Sequence, residues 1–154
     1  MPLRQEQDVV LCRNRARFLS SALGFDHLEQ VRIATAVSEI ARNAFRYAKD
    51  GRVEFSVTCD RAPQRLVVQV HDSGSGIANL SAVLNGTYRS ESGLGMGIIG
   101  AKRLMDHFDI KTGPEGTTAL LCKDLPSRAS VSPPDLQRIV DEISRALPLS
   151  LIHI

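Results

Sequence analysis

The chain predicts an α+β fold, a two-layer sandwich in which a mostly antiparallel sheet is covered on one face by helices. Three observations carry this. Helix-spaced and strand-like segments follow one another in the order helix, helix, strand, strand, helix, strand, strand. Short turn signals join the strands into neighbouring antiparallel pairs. At 154 residues the chain holds one domain with a sizeable core, and a second compact domain would be crowded.

From Gln5 to about Leu23, Val9, Val10, Ala16, Leu19, Ala22 and Leu23 recur at mostly helical spacing, and Gly24 supplies a stop. Asp26 followed by Glu29 has the form of an N-cap with a carboxylate three residues on. It opens a second helix through Val31, Ala34, Val37, Ile40, Ala41 and Ala44 to about Ala48. Lys49-Asp50-Gly51 is a turn, Val53 to Val57 alternates as a strand, and Leu66 to Val70 is an apolar strand beyond the turn at Ala62-Pro63. A short helix is expected over Leu80 to Leu84. The polar, glycine-containing stretch from Asn85 to Gly95 reads as a mobile lid.

From Gly97 the pattern Ile98, Ile99, Ala101, Leu104, Met105, Phe108 predicts a helix ending near His107, its first turn directly after a glycine cluster. Phe108 to Lys111 and Thr117 to Cys122 read as strands around the turn Gly113-Pro114-Glu115-Gly116. The expected organisation is a domain over 1–123, a proline- and serine-rich linker over 124–134 and an amphipathic helix over 135–148. The last six residues, 149–154, break the helical pattern and spell what one reading frame of a library-preparation transposase adapter encodes. They are expected to be a non-native sequencing scar, with the helix from Asp135 a connector to a missing region beyond Pro148.

Composition narrows the function classes. A hydrophobic content of 43%, a charged content of 23% and a net charge of +2 leave no basic surplus for holding nucleic acid. Cys12, Cys59 and Cys122 are odd in number and widely spaced, which suggests neither a disulfide framework nor a zinc site; they fill apolar positions in a reducing compartment. No stretch approaches the ~20 apolar residues that cross a bilayer. The expectation is a cytoplasmic domain with no membrane segment.

Two motifs carry chemistry. Asp72-Ser73-Gly74-Ser75-Gly76 follows the Leu66 to Val70 strand directly, and Gly93-Leu94-Gly95-Met96-Gly97 comes later. An acid and two glycine loops suggest a bound nucleotide: Asp72 at a strand end accepts a hydrogen bond from a base amino group, and the glycines let backbone approach a ligand. The second cluster ends at a predicted helix N-terminus, where unpaired N–H groups favour phosphate. With Gly100 it also satisfies a Gly-x-Gly-x-x-Gly pattern, but a polar lid precedes it where a dinucleotide fold needs a strand. On the second helix Glu39 and Asn43 lie four residues apart and project from one face. Asn43 suits Mg²⁺, which takes hard oxygen ligands, and Glu39 suits a general base; the alternative is a polar stripe on a surface helix. Arg89, in the lid, either touches a γ-phosphate or is simply solvated. His27, His71 and His107 lack the pattern of a phospho-accepting histidine and read as structural or surface residues.

Together these parts resemble the gyrase, heat-shock chaperone, histidine kinase and MutL (GHKL) ATPase superfamily. Within it they resemble the anti-sigma-factor serine kinases of the RsbT and RsbW kind. The resemblance runs from about Gln5 to Lys123. It rests on Thr35-Ala36-Val37-Ser38-Glu39-Ile40-Ala41-Arg42-Asn43-Ala44, on the two glycine boxes in order, on Gly100-Ala101-Lys102-Arg103-Leu104-Met105-Asp106, and on Gly116-Thr117-Thr118. It implies a Bergerat-type ATP-binding fold with ATP and Mg²⁺ as cofactors. By the same resemblance Asn43 binds Mg²⁺, Asp72 reads the adenine amino group, Gly74 and Gly76 shape the adenine pocket, and Gly93, Gly95, Met96 and Gly97 line the phosphates. Thr118 reaches the adenine region and Glu39 activates the attacking hydroxyl.

The implied function is a protein-serine/threonine kinase that phosphorylates a serine of an antagonist protein and so switches partners in a stress or sigma-factor pathway. A sigma factor or a downstream phosphatase would be a further partner, and a homodimer through the first helix is an option. The alternative is an N-terminal regulatory ATP-binding module of a larger signalling protein such as a multidomain histidine kinase. A gyrase-like or chaperone-like ATPase ranks third, because such machines need large additional domains.

Overall fold

The structure, a computed structural model, describes residues 1–47, 50–58, 63–74, 76, 94–126, 138 and 141. The strand β1 (Pro2–Leu3) leads into helix α1 (Glu6–Ala22), then α2 (His27–Tyr47) and the strands β2 (Gly51–Thr58) and β3 (Arg65–Asp72). Helix α3 (Leu94–Leu104), β4 (His107–Gly113) and β5 (Gly116–Asp124) follow. The five strands form one sheet in the order β1-β2-β3-β5-β4, and every neighbouring pair is antiparallel. The α+β sandwich expected from the sequence is therefore present.

Local chemistry sets the helix ends. The buried Asp8 carboxylate accepts hydrogen bonds from the N–H groups of Arg4 (2.8 Å) and Gln5 (2.9 Å), which fixes the entry to α1. Gly24, at φ +91°, takes the left-handed conformation that ends it. Asp26 caps α2 as the sequence predicts, its Oδ1 accepting from Glu29 N at 2.8 Å. Ile33, Val37 and Ile40 of α2 sink between the sheet residues Val53, Leu66, Val68, Val70 and Leu121 and Cys12 and Ala16 of α1 with Leu23 just beyond its end. Each fully buried aliphatic side chain of this kind stabilises the fold by about 1.5–3 kcal/mol.

Along β3 and β5 the buried residues alternate: Leu66, Val68 and Val70, then Ala119 and Leu121, face the helices. By the same parity Asp72, Thr117 and Lys123 lie on the helix side, and His71, Thr118, Leu120 and Cys122 on the other.

The structure corrects the third helix at both ends. It begins at Leu94, so Gly95 and Gly97 form its first turn instead of preceding it. It ends at Leu104, because Asp106 is drawn into the sheet: its N–H donates to Cys122 O at 3.0 Å and its Oδ2 accepts from Asp124 N at 2.8 Å. Phe108, which continued the helical pattern in sequence, belongs to β4. The strand β1 was not expected, and β5 carries the packed unit through Asp124 to the buried Leu125, whose N–H reaches Gln64 O at 2.8 Å. That lies inside the stretch read as linker. The expected helix over 80–84, the lid up to Gly93, the linker beyond residue 126 and the last helix, except Arg138 and Asp141, lie outside the described residues. Among the described residues no helix is long and apolar enough to cross a membrane.

Candidate functional site

The first half of the candidate site is the junction of α2 and α3. Glu39 and Asn43 stand one helical turn apart on α2, and α3 crosses that face at Gly97. A Cβ at Gly97 would lie 3.0 Å from Glu39 Oε2 and 3.4 Å from Asn43 Nδ2, so any residue but glycine crowds the Glu39 carboxylate and fills the space beside Asn43. The four residues from Leu94 to Gly97 are the turn whose N–H groups find no partner within the helix. Sequence spacing alone predicted that Glu39 and Asn43 share a face. The structure adds the first turn of the second glycine box on that same face.

Asn43 meets this junction with an unsatisfied group, for Nδ2 is buried and has no hydrogen-bond partner among the described residues. Rotating the carboxamide by half a turn exchanges nitrogen for oxygen, so the orphaned end serves equally as an oxygen ligand. Among the described residues no cluster of three or more His, Cys, Asp or Glu side chains forms a metal cage. A Mg²⁺ ion held by one amide oxygen and completed by phosphate oxygens and water is consistent with that donor set. Glu39 is half-buried and, among the described residues, held by one oxygen: Arg42 Nη1 lies 2.8 Å from Oε1, leaving Oε2 toward Gly97. Arg42 lies in the same motif, and its spacing of three residues from Glu39 is the sequence signal for this pair.

The second half lies at the end of β3. Asp72 Oδ1 accepts from Gly74 N at 3.0 Å and from Thr117 N at 3.2 Å, which curls the first glycine box back on the strand and ties it to β5. Among the described residues Oδ2 makes no hydrogen bond. Two glycines are obligatory here. Gly76, at φ +90°, packs where a Cβ would meet Gly113 O and Thr112 Oγ1, and Gly116, at φ +141°, packs where a Cβ would collide with Asp72 O. Thr112 and Thr117 share a hydroxyl hydrogen bond of 2.9 Å on the same face.

Thr118 lines the cleft beside Asp72 but belongs to the other face of the sheet. It pairs with His71 across the ladder and its Oγ1 lies 3.2 Å from His71 Nδ1, on the face of the sheet opposite Asp72. Thr117 is the threonine beside Asp72. Parity could have identified it, since apolar Ala119 and Leu121 mark the odd positions of β5 as inward. Clefts open on both sides of Asp72. One of about 470 Å³ is lined by Thr112, Gly116 and Thr117, and one of about 790 Å³ by Leu3, Phe45, Gly51 and His71. Phe45, from the last turn of α2, lines the second of these clefts together with the end of β3. Arg89 and Gly93 lie outside the described residues, and of Gly95 and Met96 only the helical backbone is described.

The remaining titratable groups take structural parts. His71 and His107 face carboxylates of Glu54 (3.8 Å) and Asp124 (3.5 Å) at the surface. Burial pushes the Cys12 thiol up to about 12 and raises that of Cys122, as suits apolar fillers. Burial works to lower the Lys123 pKa, but its contacts to Glu29 Oε2 (2.7 Å) and Asp106 Oδ1 (3.3 Å) carry it above the usual value. That network clamps the start of α2 to the turn after α3.

Known proteins are similar to this chain in sequence and fold. The sequence model of the histidine kinase-like ATPase domain matches residues 1–123. Serine/threonine-protein kinase RsbT of Bacillus subtilis (strain 168) is 38% identical over 113 residues, 73% of this chain and 85% of that protein. The Erythrobacter litoralis EL346 blue-light activated histidine kinase superposes with a TM-score of 0.50 at 19% identity, over 77% of this chain and 42% of that one. The histidine kinase domain of the same protein gives 0.48 at 20% identity, over 74% and 49%. The chain thus spans less than half of those solved chains, and the likeness at TM-score 0.50 is one of fold. From its matched length and its identity to RsbT, the chain belongs to the histidine kinase-like ATPase family, of the GHKL type that its motifs resemble.

Proposed function

We propose that this chain is a cytoplasmic, ATP-dependent protein-serine/threonine kinase that phosphorylates a serine of an antagonist protein and thereby switches that protein's partners, a sigma factor or a phosphatase among them. The observation that carries the reading is the meeting of Glu39, the unsatisfied Asn43 carboxamide and Gly97 of α3's first turn at one point. The 38% identity to a serine/threonine-protein kinase supports the reaction class.

In this reading Asp72 presents Oδ2 to the adenine amino group while Oδ1 holds Gly74 and Thr117 in place. Gly74 and Gly76 shape the adenine pocket. The backbone N–H groups of Gly95, Met96 and Gly97 meet the phosphates, with Gly93 beside them and Arg89 at the γ-phosphate. Asn43 turns its amide oxygen to Mg²⁺, which neutralises charge on the transferring phosphoryl group. Arg42 restrains Oε1 of Glu39 and leaves Oε2 to take the serine hydroxyl proton. The serine oxygen then bonds the γ-phosphorus as the bond to the β-phosphate oxygen breaks, giving phosphoserine, ADP and a protonated Glu39.

The test is transfer of labelled γ-phosphate from MgATP to a serine of candidate antagonist proteins, with the site mapped by mass spectrometry. Transfer that Asn43→Ala abolishes is expected. Binding of MgATP without transfer to any serine would overturn the kinase reading and leave a nucleotide-binding module.

A further inference from the structure

The sheet has two edges. On one side β1 spans only Pro2–Leu3; on the other β4 offers the seven residues His107–Gly113. The ladder fixes which backbone groups of β4 point outward. Gly113 and Gly116 face each other across the two-residue turn and close it as a hydrogen-bonded pair, so Lys111 and Asp109 also direct their backbone groups at β5. The Leu125 N–H to Gln64 O bond agrees, for it turns the odd-numbered residues of β5 to β3 and leaves the even-numbered ones for β4. Phe108 and Ile110 therefore aim N–H and C=O away from the sheet, and among the described residues nothing pairs with them. An edge of this length is a template for another strand unless its side chains forbid it.

The side chains of β4 forbid all but one way of pairing with a copy of itself. Asp109 and Lys111 are exposed on the face away from the helices, and Phe108 and the buried Ile110 are on the helix side. In an antiparallel pairing centred on Ile110, the Asp109 of each copy stands opposite the Lys111 of the other, and Phe108 opposite Thr112. Sliding by two residues in one direction sets Asp109 against Asp109, and in the other Lys111 against Lys111; opposed like charges destabilise either register. Sliding by one residue moves every side chain to the wrong face. Charges that usually blunt an edge thus select one self-complementary register.

We propose that β4 is a self-association edge: two copies of this chain pair β4 to β4 about a two-fold axis at Ile110, making one continuous sheet with both helical layers on the same face. The contact is isologous, as closed dimers require. A single strand pair is smaller than the ~1,200–2,000 Å² of a stable interface, so the dimer depends on concentration. It differs from a dimer through α1, where Val10 and Phe18 are the exposed apolar residues.

Sedimentation velocity of the full chain over a wide concentration range tests this. Concentrated native protein is expected at twice the 16.8 kDa of one chain. Lys111→Asp and Asp109→Lys each replace two attractive pairs by two repulsive ones and weaken association on the order of tenfold or more. Circular dichroism checks that both variants fold. Mixing them restores the dimer, because one chain then carries two carboxylates on this face and the other two cations. A native chain that stays monomeric at every concentration overturns the proposal. So does a dimer that both charge variants retain but Phe18→Asp disrupts, which would place the interface on α1.

Discussion

Replacing Gly97 by alanine adds one methyl group where α3 meets Glu39 and Asn43. The new carbon would lie 3.0 Å from Glu39 Oε2, inside the ~3.3 Å at which carbon and oxygen ordinarily touch, and in ordinary contact at 3.4 Å with the Asn43 carboxamide. Two effects oppose each other. Alanine is favoured over glycine in a helix by about 1 kcal/mol, whereas the carboxylate must yield by a few tenths of an ångström. Glu39 is half-exposed and ends a flexible side chain, so it yields cheaply and the fold is not weakened. The methyl nevertheless occupies the space between the two polar groups, and a loss of about 1.4 kcal/mol of transition-state stabilisation is already tenfold in rate.

Gly100→Ala is the control. It lies one helical turn further on, and a Cβ there meets nothing within 4 Å. Thermal unfolding is therefore expected to give Gly100→Ala a Tm raised by about 2–4 °C with phosphotransfer unchanged. Gly97→Ala should keep at least the native Tm, yet lose at least tenfold in single-turnover transfer. A Gly97→Ala protein that transfers as fast as Gly100→Ala would refute the convergence of α2 and α3 on reacting groups.

Asp72→Asn preserves an oxygen acceptor for the Gly74 and Thr117 N–H groups but replaces Oδ2 by a donor, so calorimetry should find a folded protein with adenine nucleotide affinity lowered about a hundredfold. Gly116→Ala forces a residue with a side chain to φ +141° against Asp72 O, and chemical denaturation should report a loss of at least ~1–3 kcal/mol. Lys123, with a pKa raised in the folded state, contributes stability that is fully present below the unfolded value of 10.5 and is lost as pH climbs through the folded value. Melting curves between neutral pH and about pH 11 should show the native chain losing more stability than Lys123→Met over the alkaline end of that range.

Much of the frame was legible because local and tertiary preferences coincide. The Asp26 cap, the apolar face of α2 and the alternation of β2 each read the same way in sequence and in space. What was not legible depends on distant partners. The end of α3 is set by Asp106 bonding Cys122 and Asp124, whereas the local apolar period runs on to Phe108. The start of α3 was misplaced because the glycine-rich stretch before Gly97 read as loop, whereas the helix begins at Leu94 and takes in Gly95. The strand β1 is too short to have a period; it exists because Pro2 and Leu3 fall against Arg52 and Gly51. Within the candidate site the shared helical face of Glu39 and Asn43 was readable from their spacing, whereas the faces that Thr117 and Thr118 take required the parity of β5.

The most direct test of a single nucleotide site is calorimetry of ATP binding with and without Mg²⁺, on the native chain and on Asn43→Ala. The native chain should bind ATP more tightly when Mg²⁺ is present. Asn43→Ala should lose that dependence while remaining folded, because the amide that is orphaned in the structure is the group assigned to the metal. A folded native chain that binds no ATP, or an Asn43→Ala protein with undiminished Mg²⁺ dependence, would contradict the account.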